Sequence, residues 1–379
     1  MDIICFCHLR WNFVYQRPQH LMSRFAQQGK VVIVEEPVLD SEKTYLERVT
    51  ISGKLEILIP HIIPGDTKQQ NVATQCQLLK EWFNASAISN YVAWYYTPMA
   101  IPLGECLPGP EVVVYDCMDE LSAFRNAPET LKENEKVLMQ KADLVFTGGY
   151  SLYEAKKDLH GDVHAFPSSI DKDHFATARK NIQNPADQAS IPHPVIGFFG
   201  VIDERMDIEL LKTLAEKKPG WHFVLVGPVV KIDPATLPVA DNIHYIGARS
   251  YEDLPKYLSG WDVALIPFAL NESTRFISPT KTPEYLAGGV PVVSSPLRDV
   301  INPYGNNGLV QIAATADEFV NSIEQCMKLK NDPEWIRRVD DFLADISWDV
   351  TWIQMTTLIQ QKLISKTTGN ITKKRSEYV

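Results

Sequence analysis

The chain has 379 residues, 45% of them hydrophobic and 22% charged, with a formal net charge of −10. A single core rarely grows past roughly 250–300 residues, so two domains are expected, and the composition excludes collagen, coiled coil and global disorder. The acidity counts against nucleic acid as the partner, because neutralising a phosphate backbone takes clustered Lys and Arg.

The 6 cysteines offer no CxxC and no Cys/His cluster at zinc spacing. Cys5 and Cys7 sit too close along one strand for a favourable bridge. All six read as reduced thiols in a cytoplasmic setting, which leaves the sequons at Asn84, Asn271 and Asn370 without meaning. No basic and apolar leader opens the chain, and no run of about 18 apolar residues reads as a membrane span.

Strands are expected at 3–6, 31–34, 55–59, 92–96, 112–115, 144–147 and 163–166, with helices at 18–28, 73–83, 128–141 and 151–159 between them. Several strands are apolar on both faces, as parallel strands covered by helices must be. Pro18 suits a first helical turn. Residues 176–194 are polar, carry Pro185, Pro192 and Pro194, hold no sustained period, and read as a linker. The rhythm then restarts, with strands at 195–199, 222–226, 243–246, 263–267 and 291–294 and helices at 207–217, 251–258, 280–287 and 316–329. Thr315 and Glu318 are spaced as a capping box for the last of these.

A final helix is expected at 348–363. The tail 366–379 reads as frayed; its Lys373, Lys374 and Arg375 permit peripheral contact with the inner face of a membrane. The fold class is α/β: two Rossmann-like domains, 1–175 and 190–346, with helix 347–365 crossing back to the first. Ligands of such sheets bind outside the carboxyl ends of the strands, here in the cleft between the halves.

The most informative segment runs SPTKTPEYLAGGVPVVSS from Ser278 to Ser295. Pro283 has no N–H and fits only a first helical turn, which places a helix start near Thr280. A helix start offers unpaired N–H groups and partial positive charge. Lys281 adds a full charge, and the Thr280 and Thr282 hydroxyls add donors, so the turn suits a diphosphate. Glu284, four residues after Thr280, lies on the same helix face and can accept two hydrogen bonds from the vicinal hydroxyls of a ribose. The plainer alternative is a capped surface helix with a solvated Glu and Lys.

This chain resembles the GT-B glycosyltransferases, especially the family-4-like enzymes of bacterial cell-surface polysaccharide synthesis. The resemblance covers nearly the whole chain. It rests on Ser278–Ser295, on Gly197 to Arg205 (GFFGVIDER), on Gly247 to Leu258, and on the opening His8 to His20 (HLRWNFVYQRPQH). It implies a metal-independent enzyme without cofactor, whose second domain binds a nucleotide-diphosphate sugar, with UDP the expected nucleotide. It implies that Glu284 holds the ribose, and that Thr280, Lys281, Thr282 and a basic residue hold the diphosphate. Many retaining members carry two glutamates separated by seven residues. Here the first of these positions is Phe276, which leaves the stereochemical outcome open.

Gly200 follows the first strand of the second half and lets backbone approach a phosphate. Arg205 stands where the family places a phosphate-binding cation; a surface ion pair is its alternative. Arg249, after Gly247, is expected to line the base pocket.

For an inverting reaction a carboxylate or histidine must act as base. Asp119 is the first candidate, then Asp116, with Glu120 behind them. All three stand where a buried strand runs out at its carboxyl end, and acids crowded near a cleft have raised pKa values. His8 ends the first strand and is a third candidate. The loop bearing Arg10, Trp11, Tyr15 and Arg17 is read as the acceptor side, for a glycan or lipid-linked acceptor. Asp171 and Asp173 form a DxD pattern, assigned to the crossing between domains and not to a metal. Two other functions share the donor site: a non-catalytic sugar- or nucleotide-binding scaffold, and a nucleotide-sugar 2-epimerase.

Overall fold

The computed structural model describes residues 1–39, 41–180 and 182–376, with side chains through Thr368. The first domain is one eight-stranded sheet. Its strands are β1 (Asp2–Cys7), β2 (Val31–Glu35), β3 (Tyr45–Ser52), β4 (Leu55–His61), β5 (Tyr91–Tyr95), β6 (Val112–Cys117), β7 (Leu144–Thr147) and β8 (Val163–Ala165), in the order β3-β4-β2-β1-β5-β6-β7-β8. The second is a six-stranded sheet of β9 (Val195–Phe199), β10 (His222–Val226), β11 (Ile243–Gly247), β12 (Val263–Ile266), β13 (Val292–Ser294) and β14 (Val310–Ile312), in the order β11-β10-β9-β12-β13-β14.

Every pairing is parallel except β3 with β4. Strand order reverses between β1 and β5 in the first sheet and between β9 and β12 in the second. These are the two points where ligand crevices form in open α/β sheets.

The central strands are buried on both faces: Ile3 to Cys7 and Val195 to Phe199 show almost no exposure. Gly197 lets the second core close, because a Cβ there would collide with the Trp261 ring. Residues beyond the linker's expected start also fold onto this core. Gln188 is buried; its amide accepts from Trp261 Nε1 at 2.8 Å and donates to the Tyr257 carbonyl at 2.9 Å.

Helix Pro333–Phe342 belongs to the second core through Trp335 and Val339. The next helix, Trp348–Ser376, belongs to the first, where Trp348, Met355 and Ile359 pack with Leu21 and Trp94. That helix runs past the expected end, into the stretch read as frayed. Lys366 Nζ holds it there, donating to Asp143 Oδ2 at 2.6 Å and to the Glu111 carbonyl at 3.0 Å. The side chains of Asn370, Lys373, Lys374 and Arg375 lie outside the described residues.

Cys76 and Cys106, expected as separate reduced thiols, are bonded to each other. Their separation of 30 residues hides the pair in the sequence, whereas the fold sets helix Lys68–Ala85 beside helix Ile101–Glu105. Cys5, Cys7, Cys117 and Cys326 are free and buried. Among the described residues no helix is long and apolar enough to cross a membrane.

Candidate functional site

A cavity of about 410 Å³ lies between the domains, walled by the carboxyl ends of strands from both sheets. From the second domain come Gly200 after β9, Val226–Pro228 at the end of β10, Ala248–Glu252 after β11, Phe268 after β12, and Ile277–Lys281 with Glu284. From the first come Trp11–Arg17 after β1, Met118 and Asp119 after β6, and Gly148 after β7.

Helix Lys281–Ala287 starts where Pro283 requires, with Thr280 as its N-cap residue. Tyr285 locks it to β9, its hydroxyl accepting from Phe199 N at 2.9 Å. Gly200 then passes under Lys281 with φ +128°, and a Cβ there would collide with the lysine Cε. The lysine ammonium lies 5.5 Å from the Phe198 ring centroid and 5.6 Å from that of Phe268.

Glu284 is buried and lines the cavity. Among the described residues, neither its carboxylate nor the Lys281 ammonium has a hydrogen-bond or ion-pair partner. Burial pushes Lys281 down, and the Arg205 charge adds to that; burial likewise pushes Glu284 up, with Lys281 pulling it back. Thr280 lines the cavity, but Thr282 does not. Its side chain is fully buried, because the second residue of this helix faces the core.

Arg205 lines the cavity and is aimed by Asp203, a residue not singled out from the sequence. The contact is bidentate, with Nε to Oδ1 at 2.9 Å and Nη2 to Oδ2 at 2.7 Å, and Asp203 is 2% exposed. Arg249 also lines the cavity, but its guanidinium is held by Asp187 at 2.6 Å and by the Tyr257 hydroxyl at 2.7 Å.

Asp119 is the first-domain acid that reaches the cavity. Burial pushes its carboxyl up to about 6, against the pull of Arg205, Arg17 and Lys231. The residue after it, Glu120, is tied down by Lys156 at 2.7 Å, which also grips Glu135 at 2.8 Å. Lys156 ends the helix Tyr150–Lys156, and Asp299 of the second domain accepts from Ser151 N at 3.0 Å at the other end. The loop bearing Asp119 is thus braced through a short helix that the other domain caps.

The structure corrects three other candidates. Asp116 is 0% exposed and does not line the cavity; it is consumed by Arg17, which donates to it from Nε and Nη2 at 2.8–3.1 Å. Arg17 lines the cavity, but its remaining nitrogen, Nη1, donates to the Phe166 carbonyl at 2.7 Å, so both ends of the pair are structural. His8 is outside the lining as well. Its Nδ1 is buried without a partner, and burial, helped by the Lys231 charge, pushes it down to about 4.

Arg10 anchors the loop instead of facing the cavity, bonding Glu35 at 2.9 Å and the Glu36 carbonyl at 2.7 Å. Trp11 and Tyr15 do line it. Removing one partner of a buried ion pair costs roughly 3–5 kcal/mol. Asp116→Ala is therefore expected to lower the unfolding free energy by about that much in a urea titration, while an Asp119 variant is not.

The DxD pattern of Asp171 and Asp173 sits at the start of the short helix Lys172–Ala176. Among the described residues no group of three or more His, Cys, Asp or Glu is placed to hold a metal ion.

Residues 193–328 match the family described as Glycosyl transferases group 1. Over 238 residues the chain is 28% identical to TuaH of Bacillus subtilis (strain 168), whose name places it as a glycosyltransferase of teichuronic acid biosynthesis. The match covers 58% of this chain and 59% of that relative, so it spans about three fifths of TuaH. Among solved structures, the sucrose-phosphate synthase of Thermosynechococcus elongatus superposes with a TM-score of 0.68 at 16% identity, over 96% of this chain and 99% of that one. Anabaena HepE, solved with UDP and glucose, superposes with a TM-score of 0.64 at 14% identity, over 95% and 100%. With two parallel-sheet domains facing a cleft, the chain has the GT-B fold, and within its second domain residues 193–328 are similar to the group 1 glycosyl transferases.

Proposed function

We propose that this protein transfers a sugar from a nucleoside-diphosphate sugar, with UDP as the nucleotide, to a glycan or lipid-linked acceptor in cell-surface polysaccharide synthesis. The observation that carries it is the pair Lys281 and Glu284: a base and an acid in one cavity wall, neither with a hydrogen-bond or ion-pair partner among the described residues. A buried charge left unpaired is costly, and such groups cluster at binding sites. HepE's complex with UDP and glucose and TuaH's place in teichuronic acid biosynthesis support the same reading.

In this reading the diphosphate lies over Gly200 between Lys281 and Arg205, and the ribose lies on Glu284. The acceptor hydroxyl approaches from the loop of Trp11 and Tyr15. Its oxygen bonds to the sugar C1 as the bond from C1 to the phosphate oxygen breaks. Its proton passes to Asp119, and the nucleoside diphosphate leaves with the electron pair, stabilised by the two cations.

The site works without a metal, because Lys281, Arg205 and the helix start supply the positive charge. Position 276 is a phenylalanine packed against the first domain's core, so the second-domain acid expected of retaining relatives is missing there. With Asp119 as the base, this reading calls for a single displacement with inversion at C1, which the anomeric configuration of the product checks.

Calorimetric titration with UDP, GDP and dTDP, each with and without EDTA, tests the donor reading. Chelator-insensitive binding of a nucleotide supports it, and no binding of any of them overturns it. Product analysis then separates the activities: interconversion of the nucleotide sugar without acceptor marks an epimerase, and binding without turnover a scaffold.

A further inference from the structure

Tyr251 begins the turn Tyr251–Asp253 and shares the cavity wall with Glu284. Its ring is the middle of three. Tyr15 stacks on it with centroids 4.6 Å apart at 25°, and His174 with centroids 4.6 Å apart at 17°. His174 Nε2 also bonds the Tyr251 carbonyl at 3.0 Å, and His20 meets the ring edge-on at 5.3 Å. So fixed, the ring holds its hydroxyl in one place, and that hydroxyl is buried without a hydrogen-bond partner. An unsatisfied buried hydroxyl is a net cost to the fold. A ring that served only for stacking would be better as phenylalanine, since tyrosine normally finds a partner when buried.

Building on the donor reading above, we propose that Tyr251 and Glu284 clamp the ribose 2′-hydroxyl from two sides, and that this makes the site selective for ribonucleoside over 2′-deoxyribonucleoside diphosphates. A vicinal diol offers two protons and free lone pairs. The carboxylate is acceptor-only and takes the protons, whereas the phenol is a donor and answers the lone pairs. Neither group substitutes for the other. Both residues line the same cavity, and no hydrogen bond joins the Tyr251 hydroxyl to Glu284 or to any other described group. Removing the 2′-hydroxyl strands the phenol and leaves the carboxylate with the 3′-hydroxyl alone, and a polar site left with unpaired groups rejects an analogue strongly.

The test is calorimetric titration of UDP against 2′-deoxy-UDP, and of GDP against 2′-deoxy-GDP, with wild type and Tyr251→Phe. The phenylalanine keeps the three-ring stack and removes only the hydroxyl. Wild type is expected to prefer the ribonucleotide by tenfold or more. Tyr251→Phe should narrow that gap several-fold by weakening ribonucleotide binding, with 2′-deoxy binding unchanged, and the remainder is the share of Glu284. A wild type that binds both sugars alike, or a Phe variant that keeps the full gap, overturns the clamp while the donor reading stands. Failure of all four nucleotides to bind wild type overturns the donor reading and the clamp with it.

Discussion

Glu284→Ala is expected to weaken nucleotide binding by roughly 100-fold or more and to leave the fold intact. Hydrogen bonds to a charged group contribute about 1.5–3 kcal/mol each. A carboxylate that accepts from two ribose hydroxyls loses two of them, and each 1.4 kcal/mol is tenfold in affinity.

In the empty cavity the same carboxylate is a cost, since it is buried and makes no hydrogen bond. The melting temperature of the variant without nucleotide should therefore hold or rise, while the stabilisation added by saturating nucleotide disappears. Thermal melting with and without UDP, beside calorimetry, separates these outcomes. An unchanged affinity in the variant sinks the assignment of the cavity as a donor site. A loss of affinity accompanied by a lower melting temperature without nucleotide would place Glu284 among structural residues. Lys281→Met provides the complementary case, because it removes a diphosphate contact and leaves the ribose contact in place.

What the sequence made legible follows from burial. Strands such as β1, β9 and β12 are apolar on both faces and announce themselves. The edge strand β3 is mostly exposed and polar along Tyr45–Ser52, so no apolar run marks it, and β14 is only three residues long. Helix Pro333–Phe342 carries a local start signal in Asp332 and Pro333, but it follows closely on the helix before it, with only a short turn between them. The helix start at Thr280 was legible because Pro283 allows few other arrangements.

Side-chain destinations were harder. Asp116 and Asp119 look alike in sequence, three residues apart at the end of β6. The difference is that Asp116 meets Arg17, 99 residues away in the chain, and Asp119 meets the cavity. Such pairings belong to the tertiary fold and leave no local trace. Asp203 sits two residues from Arg205, in the stretch that carried the family resemblance, so its role as the clamp on that arginine was within reach of local reasoning. Tyr251 was not: its neighbours Tyr15, His20 and His174 come from the first domain and the segment that crosses to the second.

Asp119→Asn is expected to cut transfer by roughly 10²–10⁴-fold, the usual contribution of a positioned general base, with donor binding retained. The pH dependence makes the assignment specific. Burial holds the Asp119 carboxyl up at about 6 in the empty site, well above an ordinary aspartate. A base must be unprotonated to accept the acceptor's proton. The free-enzyme parameter kcat/KM should therefore rise with pH through a midpoint near 6 and level off above it.

The cations restrain that pKa: Arg205 pulls it down, as do Arg17 and Lys231. A bound diphosphate neutralises Arg205, so the pull weakens and the pKa in the complex moves up. The acid limb of kcat should accordingly lie at higher pH than that of kcat/KM. In Asp119→Asn the residual rate should lose both limbs, because asparagine has no proton to exchange in this range. Asp203→Asn tests the same coupling from the other side. It removes a negative charge that itself raises the Asp119 carboxyl and leaves the pull of Arg205 less opposed, so the kcat/KM limb should move to lower pH with its shape unchanged. Turnover of Asp119→Asn at the wild-type level, or an acid limb that persists in it unchanged, would remove Asp119 as the base and leave Glu252 as the remaining cavity acid not given to the ribose.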